Sequence, residues 1–424
     1  MKIVTLGDHP LINTGVAIQT KNMIESLLEL DDSYEFISLA GNYKNGEPVV
    51  TQKWGDRWKI FPVGKDNPEF AYGTPEMIRS VLRTEQPDLF WFMSDPHNYR
   101  WLFQMEDEIR PLMPMVYYHV WDNYPVPNFN KNYYDSVDHI VTISKLTDEV
   151  VGEVTKTPKT YIPHAIDTNV FKPMDSTIIA DFKAQTLGEE NKDCFMFFWN
   201  NKNCHRKMGA NLLWMFKDFV TKRNLTAKDV CLVMHTNPEE AKGCNLTQII
   251  YDSGLEGQVL ISNGVYDDER LAMIYNVADC TINISQAEGF GLSTAESLAC
   301  ETPIIITATG GLQDQFWCGA GSVTGIRLQP SSTSVVSSQL VPYIYEDRIS
   351  QLEFEAALEE MMEMDDSKRK KLGKNGRELV LEKFNLENWK QEDKAWDGLF
   401  KTLNNECGSW HNRRGYDNWE VTAL

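Results

Sequence analysis

From residue 194 to residue 307, short and almost wholly apolar runs alternate with segments of helical period. Residues 194–199, 229–235, 258–261, 280–285 and 303–307 read as strands. Residues 208–222, 246–253, 267–277 and 292–300 read as the helices between them. Continuous apolar runs suit strands of a sheet covered on both faces. Their strict alternation with helices predicts α/β architecture with a doubly wound parallel sheet. A fainter series precedes it, with strands at 2–6, 88–93, 115–119 and 139–144. In residues 16–30, Val16, Thr20, Met23, Ile24, Leu27 and Leu28 share one face of a helix. Asn13 or Thr14 caps that helix, and Gly15 stands at its entrance.

Two α/β halves follow, 1–168 and 169–384, joined by a hinge at 160–173 that contains two prolines. Residues 41–75 are rich in Gly, Asn, Pro and aromatics and read as irregular, and 121–132 reads as a loop. Residues 352–404 read as two charged amphipathic helices followed by a helix over 385–404. The stretch 405–424 has no periodicity.

A length of 424 residues fits two to three domains at roughly 150 residues each. The 41 Lys and Arg against 61 Asp and Glu give a net charge of −20. That argues against general nucleic-acid affinity, which needs cations to displace phosphate counterions. It also argues against an anionic membrane surface as the main partner. No run of about 18 apolar residues is present, so no transmembrane helix is expected. The amino-terminal apolar run is too short for a secretory signal. The eight cysteines all lie from Cys194 onward without a CxxC pair. They read as reduced thiols of a cytoplasmic protein.

The chemistry concentrates in 278–311. Here Glu288 opens an EGFG turn (Glu288, Gly289, Phe290, Gly291), Leu292 begins a helix, and Glu296 falls about one turn into it. The turn follows a parallel strand, and ligands of open α/β sheets bind at the carboxyl ends of strands. Gly289 and Gly291 let backbone approach a ligand closely, and the amides opening the helix favour an anion. A carboxylate at Glu296 suits the vicinal hydroxyls of a ribose. Glu288 lies across the phosphate position from it. One ligand meets all three features: ribose, diphosphate, sugar. The bland alternative makes Glu296 a helix salt-bridge residue and Glu288 a solvated turn residue.

This pattern resembles the GT-B retaining glycosyltransferases of family 4, glycosyl transferases group 1. The matching residues run Glu288-Gly289-Phe290-Gly291, Glu296, Ala299-Cys300-Glu301-Thr302-Pro303 and Gly310-Gly311. The segment 162–173 (IPHAIDTNVFKP) is similar to the family's interdomain segment, and 141–145 (VTISK) to its "VSK" strand end. The likeness spans roughly residues 1–404, weakest before 115 and strongest over 265–311. It implies two Rossmann-like doubly wound domains facing each other across a cleft. Residues 385–404 resemble the family's return helix, so 385–424 is expected to pack back on the first domain.

The family places an Arg and a Lys after the first strand of its second domain to neutralise the leaving diphosphate. Here that place holds Arg206 and Lys207, adjacent and just ahead of a helix. The family spacing separates the two by about five residues, which keeps Lys202 in reserve for the Arg. Arg suits bidentate phosphate contact, and Lys acts as a point charge. The alternative is a set of solvated loop charges. No D-x-D motif is present, so no metal is expected.

In the first half, Gly15 stands where the family has a glycine loop over the donor phosphates. Without the family's second glycine it reads equally as an ordinary helix-start residue. The resemblance gives His119, at the end of MVYYH, contact with the transferred sugar, and a strand-end core histidine is the alternative. Asp122 is a candidate for acceptor hydroxyls. The resemblance thus implies a cytoplasmic, metal-independent hexosyltransferase without cofactor. It would move a sugar, with retention, from a UDP- or GDP-sugar to a hydroxyl of a saccharide, polypeptide or small molecule. The first half shows no clear basic amphipathic face, which disfavours a lipid acceptor. The rival readings are a nucleotide-sugar epimerase or hydrolase on the same fold, a DNA-base glycosyltransferase, and a binding protein without turnover.

Overall fold

The computed structural model describes residues 1–44, 47–65 and 70–416. The chain forms two compact units, one of residues 1–165, 337–343 and 386–416, the other of residues 166–336 and 344–385.

Unit one is built on an eight-stranded sheet: β1 (Lys2–Asp8), β2 (Glu35–Lys44), β3 (Val49–Val50), β4 (Trp58–Gly64), β5 (Leu89–Ser94), β6 (Met115–His119), β7 (His139–Thr142) and β8 (Lys159–Tyr161). Their order is β3-β4-β2-β1-β5-β6-β7-β8. Every pairing is parallel except β3 with β4. Strand order reverses between β1 and β5. Val4, Leu6, Phe90, Phe92, Tyr117 and Ile140 form the centre of one buried cluster. Thr14 caps the helix Gly15–Leu30, its hydroxyl accepting from Ala17 N at 3.1 Å and donating to Asp8 at 2.6 Å.

Unit two carries β9 (Phe195–Asn200), β10 (Val230–His235), β11 (Val259–Ser262), β12 (Cys280–Asn283), β13 (Ile304–Thr307) and β14 (Gly325–Leu328). The order is β11-β10-β9-β12-β13-β14, parallel throughout. The reversal falls between β9 and β12. Phe197, Trp199, Leu232, Ile282 and Ile305 on the strands meet Leu212 and Phe216 of the helix Gly209–Arg223. An antiparallel hairpin, β15 (Ser332–Val336) with β16 (Ile344–Arg348), follows β14.

Two expectations fail. Residues 41–75 are irregular only in part among the described residues: β2 runs on to Lys44, and β4 pairs with it in parallel, with a register shift between Ala40 and Lys44. The Gly and Pro content hid this because β4 lies towards the sheet edge, where Pro62 is tolerated. The last helix begins at Ala395, not at 385. Residues 386–388 form a single tight turn, and Lys394 in extended conformation precedes the helix. The readings over 45–46, 66–69 and 417–424 lie outside the described residues.

The described part of the C-terminal stretch from 386 belongs to unit one. Trp396 packs edge-on against Trp91 and Tyr118, and Tyr34 donates to Asp397 at 2.7 Å. The expected boundaries at 168/169 and 384/385 compare with breaks at 165/166 and 385/386. Residues 337–343, at the tip of the hairpin, also fall in unit one.

Candidate active site

In unit two the carboxyl ends of β9 and β12 lie at the strand-order reversal, the place where a crevice opens in a doubly wound sheet. After β9 the chain makes the tight turn His205–Lys207 before the helix Gly209–Arg223. After β12 it makes the EGFG turn before the helix Leu292–Ala299. The two turns are laced together. Gln286 N donates to Arg206 O at 2.9 Å, and the Arg206 guanidinium donates to Ala287 O.

Lys207 Nζ forms an ion pair with Glu288 Oε2, and Arg206 Nη1 lies 3.7 Å from the same oxygen. Ser285 Oγ donates to it at 3.4 Å. Burial pushes the buried Glu288 carboxyl up, but Lys207 and Arg206 outweigh that and hold it below the usual range. Lys202 is exposed and makes no ion pair among the described residues. The structure therefore brings together Arg206, Lys207 and Glu288, and leaves Lys202 at the rim.

The glycines of the turn are required by contacts. Gly291 has φ +92°, and a Cβ there would lie 2.5 Å from Leu312 Cδ2. A Cβ on Gly311 would lie 2.2 Å from Gly289 O, while Gly311 N donates to Glu288 O at 2.7 Å. The Phe290 side chain is buried edge-on against Phe384. Leu292 is half-buried at the helix start. The first amides of a helix have no partner within it, a geometry that favours anions.

Glu296 stands apart from the cations. Its Oε2 accepts from the Tyr275 hydroxyl at 2.8 Å. Burial pushes its carboxyl up to about 7, Tyr275 opposing and Asp268 adding to the rise.

Several supports were not anticipated. Gln315 donates to the carbonyls of Phe290 and Gly291 at 2.7 and 2.9 Å. Asn203, buried, bridges to the carbonyls of Asn237, Pro238 and Cys244 and fixes the loop ahead of Arg206. Asp347 of β16 donates its amide to Gln286 O at 2.8 Å and accepts from Thr309 at 2.7 Å. The Gln and Asn sit among ordinary loop residues and carry no local pattern. Only the Gly310-Gly311 pair hinted that this loop touches the turn.

In unit one, Gly15 is exposed at the helix start after β1. His119 ends β6 and is packed inside unit one. The ring is fully buried, with Nδ1 3.0 Å from the Tyr117 hydroxyl and Nε2 2.7 Å from that of Tyr134. Burial lowers it to about 3, so it is neutral. Both ring nitrogens have partners inside unit one. Asp122 is half-buried beyond it. Among the described residues, no group of three His, Cys, Asp or Glu side chains is placed to hold a metal ion, and no helix is long and apolar enough to cross a membrane.

Residues 232–379 match the family model described as glycosyl transferases group 1. The D-inositol 3-phosphate glycosyltransferase 1 of Catenulispora acidiphila is 37% identical over 78 residues, 18% of this chain and 18% of that protein. The match therefore spans less than a fifth of that curated relative. Over almost the whole chain the likeness is structural. Sucrose-phosphate synthase from Thermosynechococcus elongatus superposes with a TM-score of 0.73 at 16% identity, covering 96% of this chain and 99% of that one. Anabaena HepE in complex with UDP and glucose gives 0.66 at 15% identity, covering 96% and 100%. These likenesses show the fold: α/β, of the GT-B class with two Rossmann-like units.

Proposed function

We propose that this chain is a retaining glycosyltransferase that moves a hexose from a UDP- or GDP-sugar to a hydroxyl acceptor without a metal. The observation that carries the reading is the gathering of Arg206 and Lys207 on Glu288 at the EGFG turn. Two cations gathered on one carboxylate, beside a turn that opens a helix, are suited to a diphosphate, whose charge grows as it leaves. The match of 232–379 to glycosyl transferases group 1 supports the same reading, because those residues include the turn.

In this scheme Arg206 and Lys207 exchange part of their hold on Glu288 for the diphosphate oxygens. The amides opening the helix at Leu292, with Gly289 and Gly291, receive the rest of the charge. Glu288 then holds sugar hydroxyls and stabilises positive charge at the anomeric carbon. Glu296 receives the ribose hydroxyls. Gly15 remains the candidate for a backbone contact to the donor phosphates, and Asp122 for a contact to acceptor hydroxyls. The bond from the anomeric carbon to phosphate oxygen breaks, and the bond to the acceptor oxygen forms on the same face. The acceptor proton passes to the departing phosphate, so no separate base is needed. The acceptor is a saccharide, polypeptide or small molecule, and the protein works in the cytoplasm.

A panel of UDP- and GDP-sugars in a thermal-shift assay tests this, followed by mass spectrometry and NMR of products formed with hydroxyl acceptors. Stabilisation by one donor class and a product of unchanged anomeric configuration, formed in EDTA, are expected. Sugar release or epimerisation without acceptor, or activity that needs Mn²⁺, would count against it.

A further inference from the structure

We infer that Tyr275 is a positioning residue for the ribose-binding carboxylate: its hydroxyl, itself held by Asn200, fixes Glu296 and leaves one carboxylate oxygen for the ligand. This rests on the proposed role of Glu296 and deepens it.

Tyr275 lies near the end of the helix Asp268–Val277 and is fully buried. Its ring packs edge-on against Phe198 of β9 and Phe171, with centroids 5.1 and 6.1 Å away. The backbone is tied as well, since Thr302 Oγ1 donates to Tyr275 O at 2.6 Å. The hydroxyl has two partners. It accepts from Asn200 Nδ2 at 2.8 Å and donates to Glu296 Oε2 at 2.8 Å. The three side chains come from β9, the helix Asp268–Val277 and the helix Leu292–Ala299.

A glutamate side chain has three rotatable bonds, and at half-buried Glu296 a fixed partner decides which orientation it holds. A buried phenol with a fixed ring removes that freedom. Because the Tyr275 hydrogen is spent on Oε2, the other oxygen, Oε1, is the acceptor left for a hydroxyl donor. A hydrogen bond accepted from Asn200 also polarises the phenol and strengthens its donation to Glu296. Asn200 ends the strand that leads into the loop carrying Arg206 and Lys207. The same short chain of hydrogen bonds therefore ties Glu296 to the strand that precedes that loop.

Tyr275 also governs the charge of Glu296. The groups facing that carboxyl are Tyr275 and Asp268 from one helix and Cys300 from its own. Asp268 raises it, and Tyr275 alone lowers it against burial. Removing the hydroxyl leaves a carboxyl that ionises only at higher pH. A purely structural loss would not move the pH dependence of binding.

The test is calorimetric binding of UDP and GDP, and of their 2′-deoxy and 3′-deoxy counterparts, across about pH 6 to 9, to the intact chain, Tyr275→Phe, Asn200→Ala and Glu296→Gln. For Tyr275→Phe we expect binding of the ribonucleotide to weaken about tenfold near neutral pH. The preference for ribose over a deoxyribose should shrink, and the loss should recover towards the alkaline end. Asn200→Ala should do the same to a smaller degree, and it carries the test if Tyr275→Phe does not fold. If Glu296→Gln loses the ribose preference while Tyr275→Phe and Asn200→Ala keep both preference and pH profile, the positioning role is wrong and the ribose role of Glu296 stands. If the intact chain shows no ribose preference, or Glu296→Gln keeps it, the ribose role fails and the inference with it.

Discussion

Lys207 Nζ and Glu288 Oε2 are joined in an ion pair across two turns that are 81 residues apart in sequence. Both side chains are nearly buried, and Arg206 lies 3.7 Å from the same oxygen. In the proposed reaction a diphosphate would compete with this carboxylate for the two cations.

It follows that Glu288→Gln frees positive charge. Inorganic pyrophosphate should bind this variant more tightly, by about threefold to tenfold, since a competing charge of about 1 kcal/mol is removed. Sugar transfer should fall at the same time. Titration calorimetry and product assays on the same preparation check the two directions. Arg206→Ala should cut turnover by about 10²-fold or more, in line with loss of a group that stabilises a departing anion.

The lowered Glu288 pKa also makes a stability statement. A carboxyl held below its unfolded value contributes stability above that value, and loses it as pH falls through the folded one. Thermal unfolding between about pH 6 and 3 should therefore show a steeper acid loss for the intact chain than for Glu288→Gln.

Glu296 behaves in the opposite sense. Its carboxyl titrates at about 7, above the unfolded value, so the folded state binds the extra proton between the two. Stability is lost as pH rises through about 7. Glu296→Gln should raise the melting temperature at about pH 8 and leave it unchanged near pH 4. Differential scanning calorimetry at the two pH values decides this.

How much of this was legible in the sequence depends on whether a residue's partner is local. The parallel strands and the EGFG turn could be read because apolar runs and Gly spacing are local signals. Arg206 and Lys207 were visible as adjacent cations ahead of a helix. Their convergence on Glu288 was not visible, because it depends on β9 and β12 being neighbours in a sheet whose order departs from chain order. Gln315, Asn203 and Asp347 escaped for the same reason. The two tyrosine hydroxyls on His119 were not legible either, because Tyr134 reaches it from a separate helix.

The buried His119 gives a prediction of its own. Its folded pKa of about 3 lies below the usual histidine value, so it stays neutral near neutral pH. Acid should cost stability as pH falls below about 6.5, where the unfolded chain takes up the proton first. His119→Ala should remove one hydrogen-bond partner from each of two buried hydroxyls, which keep Ser94 O and Asn130, and cost about 2–4 kcal/mol in urea unfolding. The pH dependence of turnover near neutrality should not change in the protein that remains folded.

The turn itself has a steric test. Gly311→Ala would set a methyl 2.2 Å from Gly289 O and 2.8 Å from Phe290 Cα, so backbone must move. A loss of about 2–3 kcal/mol in urea unfolding is expected. Donor binding should weaken with it, because the displaced segment carries Glu288 and the helix start.

The most direct measurement is a crystal structure of the intact chain with a bound UDP- or GDP-sugar. The account predicts diphosphate oxygens within hydrogen-bond distance of Arg206, Lys207 and the amides opening the helix at Leu292, with the ribose on Glu296. A well-ordered donor held elsewhere, with Lys207 and Arg206 still closed on Glu288, would contradict it.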